Sequence, residues 1–274
     1  MNRALHPLAF AFAFAFLLSW TSAALAAEPA PLWKSDWSSP NDWRADWGLI
    51  TRSWGEKNMA IVNDPAGVRG KVLRVFYPKG TWSPGVTEEA GLPPGGAGFC
   101  ATLNLPPRDH ARLRYDVYFP EDFDFVKAGK LPGLFGGAGN TGGHLPNGRD
   151  GFSARVVWRE KGGGEIYAYL PESVKWGTDL GRGNWQFARG RWQTVEFEIQ
   201  LNTPGRENGW VKAWHDGTLV LDQRNLRFRD IADLKIDGLM FSTFFGGADD
   251  SYATPKATYV YFDRFEFFDS PGPR

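Results

Sequence analysis

The sequence predicts an all-β protein, an antiparallel β-sandwich of jelly-roll type with two curved sheets. Three observations predict it. No long stretch carries apolar residues at helical spacing, short runs alternate apolar with polar residues, and clusters of Gly, Pro, Asn and Asp separate those runs. Alternation at period two buries one face of a strand and leaves the other to water.

Residues 1–26 read as a leader peptide rather than as part of the fold. Arg3 precedes an apolar run from Leu8 to Trp20, and Ala24-Leu25-Ala26 offers the small-x-small pattern of a cleavage site. The run is shorter than the roughly 20 apolar residues of a membrane span. Residues 27–274 are expected to form one domain, exported to the periplasm or the medium, monomeric and without membrane contact. Cys100 is the single cysteine, so no internal disulfide staples the domain, and the chain's 13 Trp and 21 Phe, all but Trp20, Phe10, Phe12, Phe14 and Phe16 beyond the leader, supply a core instead.

Along the mature chain, Trp33, Trp37, Trp43, Trp47 and Trp54 have the spacing of a sandwich edge. Pro84 to Gly98 reads as a surface loop, and Phe135 to Gly148 as a second, richer in Gly. Between them, Leu113, Tyr115, Val117 and Phe119 mark one face of a strand. Phe152, Ala154, Val156 and Trp158 mark another, and after a turn at Gly162-Gly163-Gly164 the set Ile166, Ala168 and Leu170 matches it. Val195, Phe197, Ile199 and Leu201 alternate with Glu196, Glu198 and Gln200. Trp210–Trp214 and Thr218–Asp222 flank Asp216-Gly217, a pair suited to a tight hairpin turn. Leu239–Phe245 and Thr258–Phe268 complete the strands.

Charge narrows the function. The chain has 31 basic and 31 acidic residues, and the leader removes only Arg3. A neutral chain without a recognisable nucleic-acid motif gives no reason to expect nucleic acid as partner. Beyond the leader, His110, His144 and His215 lie far apart, and no Cys/His cluster points to zinc or iron. Asp263 could hold a structural calcium in such a fold, but no Asp-rich loop calls for one.

Within this neutral chain, Lys127, Lys130, Arg149, Arg155, Arg159 and Lys161 face only Asp150, Glu160 and Glu165. A basic field lining a cleft attracts an anionic substrate; a solvated strand edge is the plain alternative. The strand pattern decides which residues meet. A hairpin would put Ser153, Arg155, Tyr167 and Tyr169 on one surface, with cross-strand neighbours ~4.5–5.5 Å apart at Cβ.

Three segments then become informative together: Gly129-Lys130-Leu131-Pro132-Gly133-Leu134, Gly151-Phe152-Ser153-Ala154-Arg155 and Tyr167-Ala168-Tyr169. They resemble the active-site segments of polysaccharide lyase family 14, whose pattern is a Lys-x-Pro-Gly segment, a Ser-x-Arg pair and a Tyr-x-Tyr pair. Trp176-Gly177-Thr178, Gly181-Arg182-Gly183, Leu201-Asn202-Thr203-Pro204-Gly205 and Phe241 to Gly247 extend the resemblance, which covers about Tyr77 to Phe268. It implies a jelly-roll enzyme that cleaves a polyuronate such as alginate or glucuronan. It also implies Lys130, Arg155, Tyr167 and Tyr169 as catalytic residues and Ser153 as a substrate contact.

The chemistry suits these residue types. A lyase removes the C5 proton of a 4-linked uronate and expels the oxygen on C4. Charge then develops on the carboxylate, and a planar Arg155 fork can grip it with two bonds. Lys130 and a tyrosine would share the proton transfers, provided that neighbouring cations depress pKa values that are ordinarily near 10. No cofactor is needed. His144, Arg159, Trp176 and Phe244 are further substrate-contact candidates, with Trp185 and Phe245 as possible sugar-stacking rings.

Two other classes compete. A glycoside hydrolase would need two flanking carboxyl groups, and Glu165 and Glu172, the nearest acids in the hairpin, are spaced for opposite faces of a regular strand. A carbohydrate-binding module could use the same aromatic and basic face, but it has no need of a base.

Overall fold

A computed structural model describes residues 29–35, 37, 43–269 and 271–272. The leader peptide expected at residues 1–26 lies outside the described residues. Fifteen strands are present among them: β1 (Trp33–Ser35), β2 (Ile50–Trp54), β3 (Met59–Asn63), β4 (Lys71–Tyr77), β5 (Ala97–Ala101), β6 (His110–Tyr118), β7 (Ala128–Gly137), β8 (Gly151–Arg159), β9 (Gly163–Tyr169), β10 (Thr178–Gln186), β11 (Trp192–Gln200), β12 (Gly209–His215), β13 (Thr218–Leu226), β14 (Gly238–Phe245) and β15 (Thr258–Phe268). They form two antiparallel sheets. One runs β13-β12-β11-β6-β15-β4-β3, with β1 also on β15; the other runs β10-β9-β8-β7-β14-β5-β2.

The core lies between the sheets and is built from the alternating apolar sets. Leu113, Tyr115 and Val117 of β6 and Val195, Phe197 and Ile199 of β11 meet Phe152, Ala154, Val156 and Trp158 of β8 and Leu239 and Phe241 of β14. The last strand breaks strict alternation, since Val260, Phe262, Phe265 and Phe267 all face the core. A bulge between Asp263 and Glu266, with Arg264 at φ 51°, shifts the phase and makes this possible. The Asp216-Gly217 turn has both residues at positive φ, the geometry that hairpin chemistry demands.

Four expectations need correction. The Pro84–Gly98 segment holds a short helix, Pro84–Glu89, and the start of β5. Gly95, Gly96 and Gly98 mark close packing, and a Cβ on Gly96 would lie 1.9 Å from the Thr243 carbonyl oxygen. In the Phe135–Gly148 segment, β7 continues to Gly137 before the loop begins. The β8–β9 turn is formed by residues 160–162, with Lys161 at φ 59°, while Gly163 and Gly164 belong to the strand. Finally, not all five tryptophans are edge residues. Trp47 is fully buried, its ring 5.4 Å from Trp37 and 5.2 Å from Phe99, although Trp33 and Trp54 do lie on β1 and β2.

The outer face of the first sheet is also drier than alternation implies. Glu196 and Glu198 are buried there. Glu196 pairs with Arg112 at 2.8 Å, and Glu198 accepts the Gly272 amide at 2.6 Å and lies 3.6 Å from His110. Paired carboxylates can be covered where solitary ones cannot. Asp263, the possible calcium ligand, is ion-paired with Arg69 at 3.1 Å.

Candidate active site

The β8–β9 hairpin carries most of the site, on the outer face of the second sheet. Burial of its other face fixes the rotation of both strands. Pairing then sets Ser153 opposite Tyr169 and Arg155 opposite Tyr167, the juxtaposition that alternation predicts. On the other side of β8, β7 brings Lys130 opposite Val157. Pro132 has no N–H for a ladder, yet β7 is flanked by both β8 and β14. A bulge between Lys130 and Gly133 resolves this conflict. It buries Leu131 and lets the Pro132 carbonyl accept the Tyr115 hydroxyl at 3.2 Å. Lys130 is left on the outer face, its Nζ 4.2 Å from the centre of the Tyr167 ring.

The electrostatics are unusual at two of these groups. Arg155 is buried, only 3% exposed, and none of the described carboxylates pairs with it. Its Nη1 donates to Ser242 Oγ at 3.3 Å and its Nε has no partner. Lys130 is held well below the ordinary lysine range, first by burial and then by Arg155 and Arg159, with Glu165 and Asp179 opposing. Tyr167 moves the other way: burial and then Tyr169 raise its pKa, so the phenol keeps its proton.

Two loops reach the phenols through backbone amides. Gly143 N–H donates to Tyr169 Oη at 2.9 Å, and the backbone of Gly177 hydrogen-bonds Tyr167. Gly143 has φ 87°, and a Cβ there would sit 3.0 Å from the Trp176 ring. A Cβ on Gly177 would meet the Tyr167 ring at 2.7 Å. Both positions need glycine for close approach.

The remaining candidates divide. Trp176 is 45% exposed beside Gly143, and Phe244 lies opposite Lys130 in register, 5.8 Å from Trp54. His144 is exposed on the same loop, one residue past Gly143. Ser153 is fully buried and donates to the Asn140 carbonyl at 2.5 Å, so it fastens the loop instead of offering a free hydroxyl to sugar. Arg159 is committed to Glu165 and Asp179, each with a 2.8 Å bond, rather than to an open cleft. Trp185 and Phe245 are core residues and cannot act as platforms. Glu165 and Glu172, the acids that a hydrolase would need, are each ion-paired with an arginine.

Sequence reasoning missed Ser242, Gly143, Gly177 and Arg52, whose guanidinium bonds the Ala138 carbonyl. Ser242 was within reach, because alternation along β14 puts it on one face with Phe244. The Arg52 contact joins β2 to a loop 86 residues away, and no local pattern announces it. Cys100 lies beneath the same region, clustered with Phe135 and Met240; burial, opposed by Arg52 and Arg155, pushes its thiol up to about 11.

Comparison with known proteins bears on this arrangement. Residues 66–265 match the family model for polysaccharide lyase 14. An alginate lyase from Aplysia kurodai aligns with a TM-score of 0.75 at 31% identity, over 89% of this chain and 100% of that one. An alginate lyase from a Chlorella virus gives 0.70 at 22% identity, over 82% and 94%. An endo-β-1,4-glucuronan lyase from Trichoderma reesei gives 0.58 at 13%, over 88% and 96%. The last two show the fold alone. Exolysin of Paramecium bursaria Chlorella virus 1 is 27% identical over 186 residues, 56% of this chain, and the chain spans 28% of that protein's length. The family match contains the hairpin, Lys130 and both loops that touch the phenols: the chain belongs to polysaccharide lyase family 14 and is a polysaccharide lyase.

Proposed function

We propose that this lyase is exported and cleaves a 4-linked polyuronate by β-elimination, with alginate, especially poly-mannuronate, as its substrate. The observation that carries the reading is Arg155, a buried guanidinium with no carboxylate partner among the described residues, flanked by Tyr167, Tyr169 and Lys130. A substrate carboxylate supplies the missing partner and gains charge-assisted bonds as its C5 proton leaves. Neutral Lys130 takes that proton, which its depressed pKa allows. The electrons form the C4–C5 double bond, the C4–O bond breaks, and the departing oxygen takes a proton from Tyr169. Tyr167 stays protonated and hydrogen-bonds the sugar. The name of the Aplysia kurodai alginate lyase, 31% identical, supports alginate, and the apolar run ahead of Ala24-Leu25-Ala26 supports export.

The test is ultraviolet absorbance of the unsaturated product with poly-mannuronate, poly-guluronate and glucuronan offered separately. The expected result is a rise strongest on poly-mannuronate and lost in Arg155→Ala and Tyr169→Phe. A rise on glucuronan alone would move the substrate, and binding without any rise would make the chain a carbohydrate-binding protein.

A further inference from the structure

Glu165 stands two residues before Tyr167 on β9, on the same outer face, and is fully buried. Its Oε1 accepts Arg159 Nε at 2.8 Å and also Arg159 Nη2, which in turn reaches Asp179 Oδ1 at 2.8 Å. Arg182 completes the chain, with Nη1 3.0 Å from Asp179 Oδ2 and Nε 4.0 Å from Glu165 Oε2. Glu165 Oε2 has no hydrogen-bond partner. The Arg159 guanidinium so held lies 5.7 Å from the centre of the Tyr167 ring, the ring that Lys130 also touches. A buried carboxylate with one idle oxygen is a costly way to brace a strand, and an amide would fill the same space. Its negative charge is what an amide could not replace.

We infer that Glu165 is a positioning residue for the elimination: it fixes Arg159 against Tyr167 and places a negative charge in register with Lys130, across Val157. The inference rests on Lys130 being the base. Lys130, Val157 and Glu165 stand in register across β7, β8 and β9, and Arg155, Tyr167 and Asp179 form a second row across β8, β9 and β10; with Arg159, these charged groups act on Lys130, whose Nζ lies against the Tyr167 ring. From β14, Phe244 stands opposite Lys130 and carries no charge. Arg155 and Arg159 favour the neutral amine, while Glu165 and Asp179 favour the ammonium. Removing the Glu165 charge leaves two cations against one acid, so Lys130 gives up its proton more readily.

The experiment follows kcat/KM against pH by formation of unsaturated product, for the wild-type protein, Glu165→Gln and Asp179→Asn, with thermal midpoints measured alongside. The acid limb should move to lower pH, by about one unit in Glu165→Gln and by about half a unit in the more exposed Asp179→Asn. The plateau should fall about tenfold in Glu165→Gln as Arg159 loosens from Tyr167. An unmoved limb with only a lowered midpoint would make Glu165 a scaffold ion pair and overturn the inference. If Glu165→Gln does not fold, an unmoved limb in Asp179→Asn overturns it equally. A wild-type protein that forms no unsaturated product on any polyuronate would instead overturn the lyase reading beneath it.

Discussion

The two sheets turn the same residue type to opposite uses on their outer faces. On the first sheet Arg112 is fully buried and paired with Glu196, and Arg69 is held between Asp116 at 2.8 Å and Asp263 at 3.1 Å. On the second, Arg155 is 3% exposed, and among the described residues its side chain bonds a serine hydroxyl at 3.3 Å and no carboxylate. Arg112 with its own anion braces its sheet, whereas Arg155 without one is an unfilled binding position. Burial alone does not distinguish the two, and the location of the counter-charge does.

The sharpest way to break this comparison is to remove each arginine. Arg155→Ala should lose about a thousandfold in kcat/KM while its thermal midpoint holds or rises, because an unpaired buried charge is gone. Arg112→Ala should do the reverse, losing about 2 kcal/mol of stability as Glu196 gives up its closer arginine and keeps Arg114 at 3.5 Å, with the specific activity of the folded protein retained. Equal loss of stability in both variants, by thermal or urea unfolding, would erase the distinction.

An intermediate effect is expected where a loop meets the site. Gly143→Ala forces a side chain into a positive-φ position against Trp176 and pulls the amide from Tyr169. Turnover should fall about tenfold with about 1 kcal/mol of lost stability, read by product absorbance and thermal melting. Unchanged turnover would mean that the amide does not serve Tyr169.

The smallest effect belongs to the paired face. Burial tends to raise the Asp64 pKa, but the amides of Ala66, Val68 and Arg69 and the Trp192 indole outweigh it, and the folded value is lowered. A depressed carboxyl contributes stability that is fully present above its unfolded pKa of about 3.9 and is lost as pH falls through the folded value. Asp64→Asn should therefore cost about 1 kcal/mol at neutral pH and flatten the loss of stability below pH ~4 in acid unfolding. An unchanged acid slope would detach Asp64, and the Arg69 loop that it orders, from the pairing on that face.

What the sequence disclosed follows the range of the forces involved. Period-two alternation is local, so β6, β8, β9 and β11 and the meeting of Arg155 with Tyr167 were legible, as was the Asp216-Gly217 turn. Partners on other strands of the same sheet, far away in sequence, are not local. Nothing near Arg155 announces Ser242, 87 residues away, and nothing near Glu196 announces that Arg112 will cover it. Glycine was ambiguous for the same reason. Gly96 looked like loop freedom until the Thr243 backbone arrived beside it. The Arg264 bulge was hidden because a phase shift in a short run resembles noise until its neighbour strands are known.

The bulge in β7 carries a consequence for how this site can be lost. Lys130 faces outward and Leu131 inward because of the number of residues between them and Gly133, not because of their chemistry. Deleting one residue there would restore an unbroken pleat and turn one end of the strand over, sending the amine toward the core or a leucine into the cleft. Reading-frame-preserving deletions, more than substitutions, are thus the changes to which this strand is most vulnerable. A lineage that kept Lys130, Arg155, Tyr167 and Tyr169 could still lose the enzyme by one codon.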